Sequence, residues 1–189
     1  MEIRIFMRDN ETREGGLLVL VVYRIRFAHP FDFDKIMSMH TTFKDIINKI
    51  EKVYGNSNER MGLAYERIAA YFLKERGFKV LLLKDQRINL AIEGKPITGI
   101  DILGKRGENL YSIQVVEHVQ SNDMLSKGLL IDFIRSSGDM DIPEGNWKLF
   151  LFYSELSKQE KTIIKDHKIE VITENEIEKP EIDWSHCQW

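Results

Sequence analysis

The chain has 189 residues, of which 43% are hydrophobic and 30% charged, and these values predict one soluble globular domain with an extension. The only cysteine, Cys187, excludes a disulfide framework and a cysteine zinc site, and no apolar run is long enough to span a membrane. We therefore expect a cytoplasmic protein that has no membrane partner. The net charge of −3 argues against strong nucleic-acid binding, although residues 56–135 are mildly basic and residues 136–189 are acidic.

The first 55 residues predict a β-hairpin followed by a long helix. Glu2–Met7 alternates polar and apolar residues, and Leu17–Phe27 is apolar and β-branched, as paired strands are. In the expected helix Phe33–Tyr54, apolar residues recur at helical spacing on one stripe, which consists of Ile36, Met39, His40, Phe43, Ile46, Ile47, Ile50, Val53 and Tyr54. Such a stripe has to be buried on the rest of the chain or on a second subunit, so this helix is a candidate contact for a homodimer or a partner protein.

Residues 56–175 predict a core unit in which helices and strands alternate. After the linker Gly55–Asn58, a helix is expected over Glu59–Arg76 and a strand over Phe78–Leu83. The later elements are expected to be strands Ile88–Ile92 and Ile97–Leu103, helix Asn122–Ser137, strand Trp147–Tyr153, helix Glu155–Asp166 and strand Lys168–Thr173. This order predicts an α/β (α+β) sandwich around a mixed sheet. Residues 176–189 follow as an acidic tail, a second candidate contact for a partner protein.

The stretch from Gly99 to Gln120 predicts a hairpin that carries an acid inside an apolar strand. Asp101 lies in a short apolar run, a polar turn follows at Lys105–Asn109, and a long run rich in Ile, Val and Tyr comes next. A buried carboxylate without partners is costly. Two kinds of partner remain open for Asp101, namely a metal ion or the hydrogen bonds of a structural aspartate.

Six residues in matching elements carry a resemblance to a known family: Gly62, Glu66, Gly77, Phe78, Gly99 and Asp101. A helix with Gly-x-x-x-Glu, a Gly-Phe pair before a strand, and Gly-x-Asp before a hairpin resemble the PD-(D/E)xK nuclease superfamily. Over residues 60–175 the chain looks most like the archaeal Holliday-junction resolvase and Mrr-like branches. The resemblance implies a restriction-endonuclease-like fold, in which helices flank a mixed central sheet, together with DNA as the partner and a homodimer as the assembly.

In that family, a helix Glu, a strand Asp and a Glu-x-Lys on the next strand bind a divalent metal ion and activate water. Glu66 and Asp101 match the first two residues, whereas Gln114 and Val116 occupy the positions of the Glu-x-Lys. The resemblance therefore implies a degenerate catalytic site, in which Glu66, Asp101 and Gln114 are the candidate ligands of Mg²⁺ (or Mn²⁺).

Two further residues are catalytic candidates for the role of the missing base or cation. Strand residues alternate faces, so His118 shares a face with Gln114, while Glu117 points away from that face unless a bulge re-aims it. Lys127 lies one turn into the next expected helix, and migration of the lysine to that helix occurs within the superfamily.

The hairpin tip is expected to lie beside the acids. There, Lys105 and Arg106 are candidate nucleic-acid-binding residues that would contact phosphate, with a solvated turn as the alternative. Phosphodiester hydrolysis needs an activated water and neutralised phosphate charge, both of which Mg²⁺ held by carboxylates supplies. Three functions stay open: a weak Mg²⁺-dependent endonuclease in DNA repair, recombination or defence, a catalytically inactive nuclease-fold scaffold that binds DNA or a partner protein, and an unrelated α/β protein whose Asp101 is structural.

Overall fold

A five-stranded sheet with helices on both faces forms the centre of the protein. The computed structural model describes residues 3–8, 17–24, 42–55, 57–83, 88–89, 91–92, 95–96, 98–117, 127–152, 156–179, 182 and 184. The sheet has the order β10-β9-β8-β7-β3, with β3 at Lys79–Leu82, β7 at Ile102–Arg106, β8 at Asn109–Val116, β9 at Trp147–Leu151 and β10 at Glu170–Thr173. Strands β3, β7 and β8 pair antiparallel, whereas β8, β9 and β10 run parallel. The mixed sheet confirms the coarse α/β architecture.

A second, three-stranded sheet contains the N-terminal hairpin. Strand β1 (Ile3–Arg8) pairs antiparallel with β2 (Leu17–Arg24), which also pairs with the short strand β4 (Ile88–Asn89). Strands β5 (Ala91–Ile92) and β6 (Lys95–Pro96) form a separate two-stranded ladder. The N-terminal hairpin is thus confirmed. The strand expected over residues 97–103 is wrong in its bounds, because β7 begins only at residue 102 and continues through residues that were expected in the turn.

Two helices cover one face of the five-stranded sheet. Helix α1 (Phe43–Tyr54) begins after Thr42, and helix α2 (Asn58–Glu75) begins after Ser57; each capping hydroxyl accepts a backbone N–H three residues on, at 3.2 and 3.4 Å. These caps satisfy N–H groups that have no intrahelical partner. Apolar side chains of both helices share one buried cluster with the sheet, which includes Ile46, Ile50, Tyr65, Phe72, Ile113 and Phe150.

The apolar stripe of α1 is covered by the chain itself. Its described members are buried except Val53, which is 51% exposed. The upstream members Ile36, Met39 and His40 lie outside the described residues. The buried members of the stripe between Phe43 and Tyr54 are therefore not available to a second subunit, and the homodimer stays a prediction.

Two other helices cover the opposite face of the sheet. Helix α3 (Lys127–Asp139) and helix α4 (Lys158–Asp166) contribute to a second buried cluster, which includes Leu103, Val116, Leu130, Phe133, Leu149, Leu151 and Ile164. Successive residues of β9 alternate between the two clusters, as strand geometry requires. A capping box formed by Ser157 and Glu160 fixes the start of α4.

The segment expected as an acidic tail packs in part into the main core. It contains the last two residues of the short helix α5 (Glu174–Ile177), including the buried Ile177, and also Trp184, which is 3% exposed. The ring of Trp184 lies 5.6 Å from that of Phe43 and 5.3 Å from that of Tyr71, measured between centroids. Residues from 1–55, 56–175 and 176–189 thus share one cluster. None of the described helices combines the length and the apolar character that a membrane span needs.

Candidate functional site

Asp101 marks the point at which β7 and β8 separate. Its backbone N–H donates to the Ile113 carbonyl at 3.0 Å, and its own carbonyl accepts from Leu83 N at 2.9 Å. Among the described residues, these two hydrogen bonds extend the pairing of β7 with both neighbours by one residue before its start, to Asp101. The side chain is 2% exposed. We call this place, formed by Asp101, Gln114 and Val115, the β7–β8 fork.

The Asp101 carboxylate takes the place of the strand carbonyl that would otherwise accept the Val115 N–H. Oδ2 accepts the Val115 N–H at 2.9 Å and also a hydrogen bond from Gln114 Nε2. Gln114 Nε2 in turn donates to the Val115 carbonyl at 3.2 Å. Two side chains thus satisfy both peptide groups of one buried residue. Of the two kinds of partner that the sequence leaves open for Asp101, hydrogen bonds are present.

The orientation of the Gln114 amide follows from these contacts. Its nitrogen donates to two acceptors, so the reversed orientation would place Oε1 against a carboxylate and a carbonyl oxygen. Gln114 is 4% exposed, and its Oε1 is buried without a hydrogen-bond partner among the described residues. A neutral oxygen of this kind can act as a ligand for Mg²⁺. Because the amide presents nitrogen to Asp101, however, a cation shared by the two residues requires the amide to turn over.

Glu66 lies on α2, the helix that packs against β3, β7 and β8, and it is 2% exposed. One turn earlier on the same helix face stands Gly62, and a Cβ atom there would lie 3.2 Å from Glu117 Oε1. Glu117 therefore rests on α2, on the side of the sheet opposite to Gln114, as the alternation of β8 predicts. The sequence reasoning missed that Glu66 and Glu117 share this side. The signal is Gly62, whose missing side chain leaves room for the Glu117 carboxylate.

The described residues contain no group of three His, Cys, Asp or Glu side chains that could hold a metal ion. The candidate ligands Glu66, Asp101 and Gln114 offer two carboxylates and one neutral amide oxygen. This all-oxygen chemistry suits Mg²⁺, which usually keeps several of its waters and takes one or two protein carboxylates. Asp101 and Gln114 are in direct contact, whereas Glu66 is a buried residue of α2, the helix on the side of the sheet opposite to Gln114.

The candidates for the missing base or cation are only partly placed. His118 lies outside the described residues. Lys127 is the first residue of α3, and only its backbone position is described. Val116, at the family's lysine position, is 9% exposed and belongs to the cluster beneath α3 and α4.

Lys105 and Arg106 lie at the far end of the hairpin from Asp101. Arg106 pairs with Asn109 across the turn, which contains Gly107 at a φ of 61°. Five residues of strand at roughly 3.3 Å each separate Arg106 from Asp101, or about 16 Å. The expectation that the hairpin tip lies beside the acids is therefore wrong. Lys105 Nζ is 3.3 Å from Glu108 Oε2, in an exposed pair.

At this same end of the sheet, Arg106 lines a cavity of about 220 Å³ together with Arg76 and Lys148. The sequence reasoning did not single out the latter two residues. No motif marks them, because they meet only through the convergence of α2, β7 and β9.

The fold defines an α/β protein in which helices flank a five-stranded mixed sheet. Where two of its strands separate, a buried carboxylate accepts a backbone hydrogen bond. No protein-family model and no curated protein matches the chain. Among solved structures, the chain is similar to the crystal structure of AF1548, a protein of unknown function, with a TM-score of 0.43 and 16% sequence identity. The match covers 57% of this chain and 55% of that one, so the chain spans about half the length of the protein it matches.

Proposed function

We propose that this is a DNA-directed protein with a PD-(D/E)xK nuclease fold and a degenerate metal site at the β7–β8 fork. One observation carries the proposal. Asp101 lies buried where two strands part, and it contacts Gln114, the residue at the position of the family's second acid.

The proposed site would hold Mg²⁺ through Asp101, Glu66 and the Oε1 of Gln114, and the ion would supply charge neutralisation at a phosphate together with an activated water. Metal binding at this site has an opposing free-energy cost. Turning the Gln114 amide toward a cation breaks its hydrogen bond to the Asp101 carboxylate, and a hydrogen bond to a charged group contributes about 1.5–3 kcal/mol. We therefore expect metal affinity at least about tenfold weaker than in a site whose oxygens are already aligned.

A catalytically inactive scaffold is the second candidate, and a specific observation favours it. Gln114 Nε2 occupies the Asp101 oxygen with a neutral donor, so the carboxylate has a partner when no cation is present. The chain also offers no positive charge at Val116. Removing one preorganised charge-stabilising group typically costs about 10²–10³ in rate. Under this alternative, the fork maintains the fold while another surface binds DNA or a protein.

The metal proposal is tested by Mn²⁺ titration of the wild type and of Gln114→Glu. The variant places a second carboxylate against Asp101, so a divalent cation should bind at least about tenfold more tightly, because ligand charge sets affinity in such sites. Gln159→Glu, at an exposed position of α4, is the matched control, since it makes the same chemical change away from the fork. Equal Mn²⁺ affinity in all three proteins would contradict a metal site at the fork.

Catalysis is tested in the double variant Gln114→Glu with Val116→Lys. It should gain Mg²⁺-dependent cleavage of DNA, and adding Asp101→Ala should abolish the gain. Circular dichroism has to accompany the assay, because position 116 is buried and a lysine there carries a desolvation cost. Metal binding without cleavage in a folded double variant would favour the scaffold. Efficient cleavage by the wild type would show that the site is not degenerate.

A further inference from the structure

A cavity of about 220 Å³ lies at the end of the sheet opposite to the β7–β8 fork. Its walls come from the C-terminal end of α2, the turn end of β7 and β8, and the starts of β9 and β10. Its charged side chains are Arg76, Arg106, Lys148 and Glu170. The charged lining thus contains three cations and one carboxylate.

The buried cation of this cavity is Lys148. It is 6% exposed, and its ammonium lies 5.2 Å from the centre of the Tyr111 ring and 5.8 Å from that of Phe78. Its ion-pair partner, Glu170, has a side chain that is 52% exposed. Solvent screens the charge of the exposed carboxylate, so it compensates the charge of the buried lysine only in part. The site therefore retains positive potential.

The two arginines add guanidinium groups at the cavity wall. Arg76 lies over the Phe72 ring at 4.1 Å, and Arg106 over the Phe78 ring at 5.5 Å. Within the part of the chain that the structure describes, neither arginine forms an ion pair with a carboxylate. The aromatic faces orient the guanidinium groups and leave their N–H donors for another acceptor.

We propose that this cavity binds the phosphoryl group of a phosphomonoester. Guanidinium groups match phosphate oxygens in pairs of parallel hydrogen bonds, and a phosphomonoester carries a charge of about −1.5 to −2 at pH 7, which suits the excess of two cations in the lining. A carboxylate would supply only one charge. The volume is below the roughly 300 Å³ at which sites for drug-sized ligands begin, so the organic part of the ligand remains outside.

The aromatic rings do not serve as a stacking platform for a base. The cations already lie over the rings of Phe72, Phe78 and Tyr111. Recognition therefore concerns the phosphoryl group, which has two sources: a small phosphorylated metabolite or the 5′-phosphate of a nucleic-acid strand. The cavity shares no residue with the fork, so phosphoryl binding there is independent of metal binding at the fork.

The test is isothermal titration of the full chain at low salt with inorganic phosphate, a nucleoside 5′-monophosphate, the matching nucleoside, and one short oligonucleotide with either a 5′-phosphate or a 5′-hydroxyl. The variants are Arg76→Gln, Arg106→Gln and both together. Arg60→Gln, exposed on α2 but remote from the cavity, is the matched control. Amide shifts in a two-dimensional NMR spectrum of the wild type locate the ligand without any variant.

We expect one site for the monophosphate and none for the nucleoside, with amide shifts at Phe78 and Gly145. Each arginine variant should raise the Kd by about tenfold or more, and Arg60→Gln should leave it unchanged. Equal affinity for the monophosphate and the phosphorylated oligonucleotide assigns the site to small phosphomonoesters, whereas tighter binding of the phosphorylated oligonucleotide assigns it to strand ends. Absence of phosphate-dependent binding at millimolar ligand, or binding that survives the double variant, overturns the proposal.

Discussion

The buried Asp101 carboxylate has a structural role, because it accepts a hydrogen bond from a buried backbone N–H. Its Oδ2 accepts the Val115 N–H at the position where β7 no longer offers a carbonyl, and Gln114 completes the arrangement. The sequence predicted that an acid in an apolar strand needs a partner, and this was correct. It could not choose between a metal ion and hydrogen bonds, because the choice depends on where β7 ends relative to β8 and on the orientation of one amide, which are properties of tertiary register.

Replacing Asp101 by Ala should lower the free energy of unfolding by about 1–3 kcal/mol, since the Val115 N–H is left buried without an acceptor. Asp101→Asn should cost less, because one amide oxygen can still accept that hydrogen bond. Urea unfolding measures both. Asp139→Ala, an exposed change on α3, should stay within about 0.5 kcal/mol of the wild type. An Asp101→Ala protein as stable as the wild type would remove the structural role described above.

At the scale of elements, both ends of α2 were predictable, whereas the expected helix Phe33–Tyr54 was wrong in its bounds, because Thr42 has an extended backbone and caps α1 at Phe43. The expected helix Glu59–Arg76 agrees with α2 to one residue at each end, because Ser57 and Gly77 are local signals. The strands expected between residues 88 and 103 were placed poorly, because β4 pairs with the distant strand β2 and because β5 and β6 form a ladder of only two residue pairs. Glu117 could not be placed on α2 from parity alone, because its contact depends on the gap above Gly62.

The approach of α3 to the loop before Asp101 depends on Gly99. Its φ is 78°, and a Cβ atom there would lie 2.8 Å from Phe133 N and 3.0 Å from the Asp132 carbonyl carbon. Gly99→Ala should therefore lower the free energy of unfolding by about 2 kcal/mol or more, from backbone strain and from displacement of α3.

Gly138→Ala, within α3, is the matched control for Gly99→Ala. A Cβ atom at Gly138 meets nothing within 4 Å, and alanine is the better helix former by about 0.5–1 kcal/mol. Thermal unfolding should rank this variant at or above the wild type and Gly99→Ala well below it. Equal stability of the two variants would contradict the close packing of α3 on Gly99.

At the scale of the whole molecule, the chain closes on itself through its C-terminal segment. Trp184 packs against Phe43 of α1 and Tyr71 of α2, so residues far apart in sequence share one core. The charge of the segment suggested a tail, and charge patterning alone cannot show that one tryptophan within an acidic stretch is buried. The same cluster buries most of the apolar stripe of α1. These buried residues therefore do not support a dimer contact through this helix.

Removing the buried side chain of Trp184 should strongly destabilise the fold. Trp184→Ala is expected to lower the free energy of unfolding by about 3–5 kcal/mol, because a large aromatic side chain leaves a cavity in the main cluster. Val53→Ala, at a position that is 51% exposed on α1, should change it by less than about 0.5 kcal/mol. Denaturant unfolding of both variants decides whether the C-terminal segment belongs to the cooperative unit. A small effect of Trp184→Ala would show that it does not.

The central claim is that the β7–β8 fork is a weakened metal site, and a crystal structure of the wild type soaked in Mn²⁺ tests it most directly. The account predicts one anomalous peak at the fork, within about 2–2.5 Å of an Asp101 oxygen, with the Gln114 amide turned so that Oε1 faces the ion. The Glu66 carboxylate should lie close enough to share the ion or one of its waters. A structure at saturating Mn²⁺ with no peak at the fork, and with Gln114 Nε2 still donating to Asp101, would contradict the claim.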